Sequence, residues 1–191
     1  EGTKGNTDSG LYAARFEPID GKSKMPPIVA FRGSEFSDGM VDWRSDLLDP
    51  SVGARQYNAE RAAIDNLMKV NPGQKLEVTG HSLGGALAQK AAADHAKDIG
   101  AITTFQAPGI DSADAAKFNA ANADGHAKVN HHYVTGDVVH RAGEAKLDGN
   151  FYEHHVPGAG LLDVGNIGGS HTANLLHNPG ELPSMPTIAD E

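Results

Sequence analysis

Residues 75–79 (KLEVT) form a short strand-like run, and residues 83–97 form an alanine- and leucine-rich one. Between them the chain reads Gly80-His81-Ser82-Leu83-Gly84. This G-x-S-x-G pentapeptide constrains the fold more than any other feature. Glycines two positions either side of a serine let a strand and a helix converge on one tight, strained turn, where bulky neighbours would collide. The turn presents the serine hydroxyl above the strand end. The following helix aims its first backbone N–H groups and the positive end of its dipole at the same point, so developing negative charge is favoured there. Leu83 N–H is the natural first donor to such a charge. Gly85 and Ala86 prolong the run of small residues. Alone the pentapeptide is a modest signal, and its strand-before, helix-after context makes it strong. The plainer reading is a glycine-rich helix start with Ser82 as an ordinary N-cap.

The rest of the chain alternates in the same way. Residues 11–18 and 27–31 read as two strands joined by a turn at Asp20-Gly21-Lys22, with Pro26-Pro27 at the entry of the second. Residues 54–70 carry Tyr57, Ala63, Ile64, Leu67 and Met68 mostly on one face, which predicts a helix stopped by Asn71-Pro72-Gly73. On the helix predicted over 83–97, the spacing of Lys90, Asp94 and Lys97 predicts a solvent face. Residues 101–105 predict a strand, residues 112–121 a helix capped by Ser112, and residues 128–135 another strand. Beyond Arg141 glycine and proline recur and the pattern weakens. Strands alternating with helices predict an α/β fold with a largely parallel sheet. The expected organisation is a linker-like segment at 1–10, one domain over 11–177 and a Pro-rich tail at 178–191. A start at Glu1 and polar ends read as a domain cut from a longer protein, or as a processed chain.

Composition narrows the function. The formal net charge of −9 disfavours sequence-independent nucleic-acid binding, which needs phosphate-neutralising cations. With no cysteine, disulfides and thiolate metal sites are excluded. No apolar run reaches the length of a membrane-spanning helix. His131 and His132, adjacent on a predicted strand, should face opposite ways. No H-E-x-x-H spacing occurs, so the sequence predicts neither a metal nor any other cofactor.

A serine nucleophile needs a base, and the base needs an orienting carboxylate. On a strand–elbow–helix scaffold the chain order is Ser, then Asp or Glu, then His. Asp137 follows the strand ending at Thr135, where such carboxylates are placed, although Gly136-Asp137 also reads as a turn pair. His140, His154, His155, His171 and His177 all follow it. His140 is too near Asp137 to come from a separate loop. His171, after Gly168-Gly169-Ser170, is the favoured base, with His154 and His155 next.

The ordered blocks IVAFRGSEFSDGMVDWRSDL, VTGHSLGGALAQ, TFQAPG and YVTGDVVHR resemble the class 3 lipase family over roughly residues 27–176. That resemblance implies an α/β-hydrolase fold, a mostly parallel central sheet flanked by helices. It implies a catalytic triad of Ser82, Asp137 and His171, with Asp137 and Val139 matching the family's Asp-x-Val block. Ser34, after Phe31-Arg32-Gly33, is implied as the second oxyanion-hole residue beside Leu83. Residues 35–47 match a segment that carries or borders a lid, with Phe36, Met40, Val41 and Trp43 as its apolar side chains, although core packing explains those four equally well. The 34 residues from Asp137 to His171 are few for the family. The implied activity is hydrolysis of lipid carboxylic esters, acylglycerol or phospholipid, at a membrane or micelle surface. The alternatives are a soluble carboxylesterase or thioesterase, and a binding module of the same fold that has lost catalysis. The compact domain is also similar to lipase modules of larger bacterial secreted or toxin proteins. That setting implies delivery outside the cell and, for a toxin, an inhibitory partner protein.

Overall fold

The structure, a computed structural model, describes residues 3–6, 11–19, 25–33 and 53–155. Among these residues seven strands form one sheet in sequence order. They are β1 (Thr3–Asn6), β2 (Tyr12–Phe16), β3 (Ile28–Phe31), β4 (Leu76–His81), β5 (Ile99–Phe105), β6 (Lys128–Val134) and β7 (Asn150–His154). β1, β2 and β3 pair antiparallel. From β3 to β7 every pairing is parallel, as expected of an α/β-hydrolase. Parallel neighbours need long crossovers: α1 (Ala54–Ala59) and α2 (Arg61–Leu67) lie between β3 and β4, α3 (Leu83–Asp94) between β4 and β5, and α4 (Ser112–Ala121) between β5 and β6, while β6 reaches β7 through a 3-10 turn and loop.

α3 explains why so much alanine stands in one stretch. It rests on β3, β4 and β5 and packs against α1 and α4. Ala86, Ala88, Ala91, Ala92 and Ala93 are all buried. A helix enclosed on every side wants small apolar residues all round rather than one stripe. In β4, Leu76, Val78 and Gly80 turn into the core while Glu77, Thr79 and His81 are half-buried on the opposite face.

Several elements depart from the sequence reading. Thr3–Asn6, within the linker-like segment, pairs with β2 because ladder bonds join backbones and need no apolar pattern. The helix expected over 54–70 is two, broken at Glu60, whose N–H reaches both Gln56 and Tyr57 carbonyls. Tyr57 Oη donates to Asp94 Oδ2 at 3.0 Å and Arg61 pairs with the same oxygen at 2.9 Å, so one carboxylate pins both sides of the break. Asp111 rather than Ser112 caps α4, accepting from Ala113 N–H at 2.8 Å. β7 was invisible in a glycine-rich region.

The expected solvent face of α3 is corrected most sharply. Lys90 is buried, paired with Asp114 and lying over the Tyr57 ring, and Asp94 also holds Lys117 at 2.7 Å. Of the three residues only Lys97 is exposed. Helices on both flanks of α3 turn its outward face into an inter-helix seam. Burial and the adjacent Asp94 carboxylate push the Tyr57 phenol far above its usual range, so it remains a donor.

Candidate active site

Ser82 stands at the carboxyl end of β4 with φ 55° and ψ −129°, a conformation that side-chain-bearing residues rarely adopt. Backbone in such regions costs roughly 1–3 kcal/mol and persists where the surroundings impose it. Here they do. A Cβ on Gly80 would strike the carbonyl of Gly84, and one on Gly84 would strike the carbonyl of Phe31. Both glycines are therefore required by close approach. Ser82 N–H donates to the Phe105 carbonyl at 2.9 Å, extending the β4–β5 ladder through the turn. Its side chain makes no helix-capping hydrogen bond, which removes the ordinary N-cap reading. Leu83 opens α3, where first-turn N–H groups find no acceptor within the helix.

The end of β3 runs alongside this turn. A Cβ on Gly33 would lie 2.8 Å from the His81 carbonyl. The Arg32-Gly33 backbone is thereby beside the serine elbow. Ser34 follows directly but lies outside the described residues, as do Phe36, Met40, Val41, Trp43 and His171.

Asp137 follows β6 and is 1% exposed. Its N–H donates to the Val134 carbonyl at 3.0 Å, and its Oδ1 accepts from Val139 N–H at 2.9 Å. One strand, β5, separates β4 from β6, so Ser82 and Asp137 stand at the same end of the sheet about 10 Å apart laterally, two strand spacings. Burial pushes the Lys146 ammonium down to about 8, with Asp137 opposing it. Burial also pushes the His140 imidazole down, again against Asp137. The carboxylate thus has a lysine and a histidine within electrostatic reach. Lys146 Nζ donates to the Ala107 carbonyl at 2.7 Å. No sequence pattern singled out Lys146. Gln106, within the TFQAPG block, has φ 49° at the exit of β5.

The remaining histidines divide by environment. His154 Nε2 meets His132 Nδ1 at 2.9 Å, and burial alone lowers its pKa. His155 is exposed after β7. His140 stacks on Tyr133 with ring centroids 4.4 Å apart. His131 and His132 face opposite ways, as expected. His131 is buried, with Nε2 against the Leu147 carbonyl at 2.9 Å and Nδ1 against Thr104 Oγ1 at 2.7 Å. A carbonyl only accepts, so the neutral ring carries its proton on Nε2 and accepts the threonine hydroxyl on Nδ1. Burial lowers its pKa to about 4. The folded value lies below the unfolded one near 6.5, so the unfolded chain takes up the proton first. The contribution is full above about pH 6.5 and is lost as pH falls towards 4, by up to about 3 kcal/mol. Urea midpoints measured from pH 7 to 4 should fall more steeply for the wild type than for His131→Gln. Parallel slopes would contradict this assignment.

Among the described residues no group of three or more His, Asp or Glu is placed to hold a metal ion, and no helix is long and apolar enough to cross a membrane.

A mostly parallel sheet, a strained serine between strand and helix, and a buried carboxylate two strands away define a class, the α/β-hydrolase fold. The family model for the Tle-like phospholipase domain matches residues 2–186, and the chain belongs to that family. No curated protein sequence matches it. Among solved structures, a triacylglycerol lipase from Penicillium expansum aligns with TM-score 0.51 and 17% identity over 80% of this chain and 67% of its own. This likeness bears on the fold. MDLA from Penicillium cyclopium aligns with TM-score 0.49 and 22% identity over 73% of this chain and 56% of its own. The mono- and diacylglycerol lipase from Aspergillus oryzae aligns with TM-score 0.44 and 21% identity over 73% and 55%. The chain thus spans little more than half the length of these last two proteins.

Proposed function

We propose that this protein hydrolyses lipid carboxylic esters, phospholipid or acylglycerol, through a triad of Ser82, His171 and Asp137. The observation that carries the reading is the conformation of Ser82, held at positive φ by glycine contacts above the first turn of a helix. The family's phospholipase description supports the lipid substrate. His171 takes the Ser82 proton as Oγ bonds to the ester carbonyl carbon. The carbonyl electrons move to oxygen, where Leu83 N–H and Ser34 receive the charge. Each such donor is worth roughly 3–4 kcal/mol in comparable sites. Collapse breaks the ester C–O bond, and His171 protonates the departing alcohol. Water then adds to the acyl-enzyme with His171 as base, and Ser82 leaves with its proton restored. Asp137 holds the imidazole in the required tautomer.

The base is tested by replacement. His171→Ala should lose activity by several orders of magnitude, whereas His140→Ala, His154→Ala and His155→Ala should keep most of theirs. An active His171→Ala beside a dead His154→Ala would move the base to β7.

The lipid preference is tested on the segment 35–47. Trp43 is the single tryptophan, so its emission reports that segment alone. Ser82→Ala protein should show a blue shift of Trp43 emission on neutral phospholipid vesicles, as expected of an apolar lid opening on a lipid surface. Aggregated lipid should be hydrolysed faster than monomeric ester. At net charge −9 anionic lipid would repel the protein, so neutral lipid at moderate salt is the fair condition. Unmoved emission with equal rates on both substrates would favour the soluble esterase or thioesterase.

The same reading places the activity outside the producing cell, as a module of a larger protein. An enzyme that attacks bilayer lipid is a hazard to the cell that makes it, so an inhibitory partner protein belongs to the proposal.

A further inference from the structure

Gln89 lies seven residues after Ser82 on α3 and is 0% exposed. A buried primary amide is costly unless both its ends are partnered. Gln89 finds partners in three segments. Its Nε2 donates to the Gly85 carbonyl at 3.3 Å, in the first turn of the helix that carries Ser82. The same nitrogen donates to the Pro108 carbonyl at 2.9 Å, at the exit of β5. Its Oε1 accepts from Leu147 N–H at 3.4 Å, in the chain that continues from Asp137.

Leu147 is well chosen as an anchor. Its side chain is buried and its carbonyl accepts from His131 on β6, so both ends of its backbone are held by buried polar side chains. The segment leading to it is clipped along the β5 exit. Gly109 N–H donates to Ala142, Ile110 N–H to Ala145 and Ala145 N–H to Ile110, while Lys146 Nζ reaches Ala107. Asp137 is held upstream by β6 through its N–H to Val134. Downstream, the 3-10 turn Val139–Arg141 leads into the clipped segment. Gln89 therefore joins the helix behind the serine to the loop behind the aspartate by one side chain.

We propose that Gln89 is a positioning residue that fixes the separation of Ser82 and Asp137 across which the histidine works. This rests on the triad reading above. The role needs one donor and one acceptor on the same planar group. Methionine keeps the volume and loses both functions. Glutamate keeps the acceptor but turns a carboxylate towards two carbonyls, and protonation restores an O–H donor.

The test normalises turnover to the number of serines titrated by a p-nitrophenyl phosphonate, with a soluble p-nitrophenyl ester as substrate. Gln89→Met should titrate fully yet turn over about 10²-fold more slowly per site, with KM unchanged, as expected of roughly ångström-scale misplacement. A merely structural role would instead reduce the number of sites and leave turnover per site at the wild-type value, which would overturn the proposal. In the Asp137→Asn background Gln89→Met should cost no more than about twofold, because the partner it positions is already disabled. The residual rate of a triad lacking a member stands about 10³-fold above water, so a further hundredfold would be visible. Equal losses in both backgrounds would also overturn the proposal. Should Gln89→Met not fold, Gln89→Glu takes its place: its turnover relative to wild type should rise as pH falls and the buried carboxyl protonates. A ratio that does not change with pH counts against the proposal. Wild-type protein that takes up no phosphonate overturns the Ser82 reading itself, a failure distinct from that of Gln89.

Discussion

Ser82→Ala should lower ester hydrolysis by on the order of 10⁶-fold, the loss seen when a triad nucleophile is removed, and leave the fold intact. The expectation comes from backbone geometry. Ser82 is 4% exposed at φ 55°, and its N–H completes the ladder to Phe105. Alanine keeps that N–H and fits the same space, so circular dichroism and urea midpoints should stay near those of the wild type. The conformation itself is the costly part, and Ser82→Gly should relieve it. Glycine adopts positive φ readily, so Ser82→Gly should be as dead as Ser82→Ala and more stable than it by about 1 kcal/mol. A variant at this position that loses only a few-fold in rate would show that Ser82 is not the nucleophile.

Asp137→Asn should reduce turnover by about 10⁴-fold while KM changes little, because an amide at this site favours the wrong imidazole tautomer. Asn retains the oxygen that accepts Val139 N–H, so the turn after β6 should survive. The effect is therefore expected in kcat rather than in stability. Near-normal turnover would move the orienting acid elsewhere, and Asp111 and Asp163 would be the next to replace. Lys146 and His140 lie within the field of the carboxylate, so removing its charge should also ease deprotonation of Lys146.

How much of this was legible in the sequence depends on whether local pattern or tertiary packing decides. The strand–elbow–helix was legible because the glycines that permit it are local: Gly80 and Gly84 answer contacts within the pentapeptide and with β3. The parallel order of β3 to β6 followed from strands alternating with helices. β1 and β7 were not legible. Edge pairing asks little of side chains, and β7 (NFYEH) is exposed along most of its length, without apolar alternation. The environment of Lys90 and Asp94 was misjudged because helical spacing says which residues share a face, not what a neighbouring helix places over that face. Asp137 was legible as a position but not as a buried, backbone-held carboxylate. Gln89 closes the block VTGHSLGGALAQ, but as a polar residue among alanines it is a weak cue until its partners Gly85, Pro108 and Leu147 come into view. His171, the histidine proposed to complete the site, rests on chain order and a glycine-rich approach, and lies outside the described residues.

The central claim is that Ser82 is an activated nucleophile, and covalent labelling tests it most directly. Wild-type protein treated with a p-nitrophenyl alkylphosphonate should release one equivalent of p-nitrophenol. It should lose activity in step, and peptide mass mapping should place the adduct on Ser82 within VTGHSLGG. Ser82→Ala should release none, and Asp137→Asn should label far more slowly. An adduct on another residue, or wild-type protein that stays unlabelled while hydrolysing esters, would contradict the account.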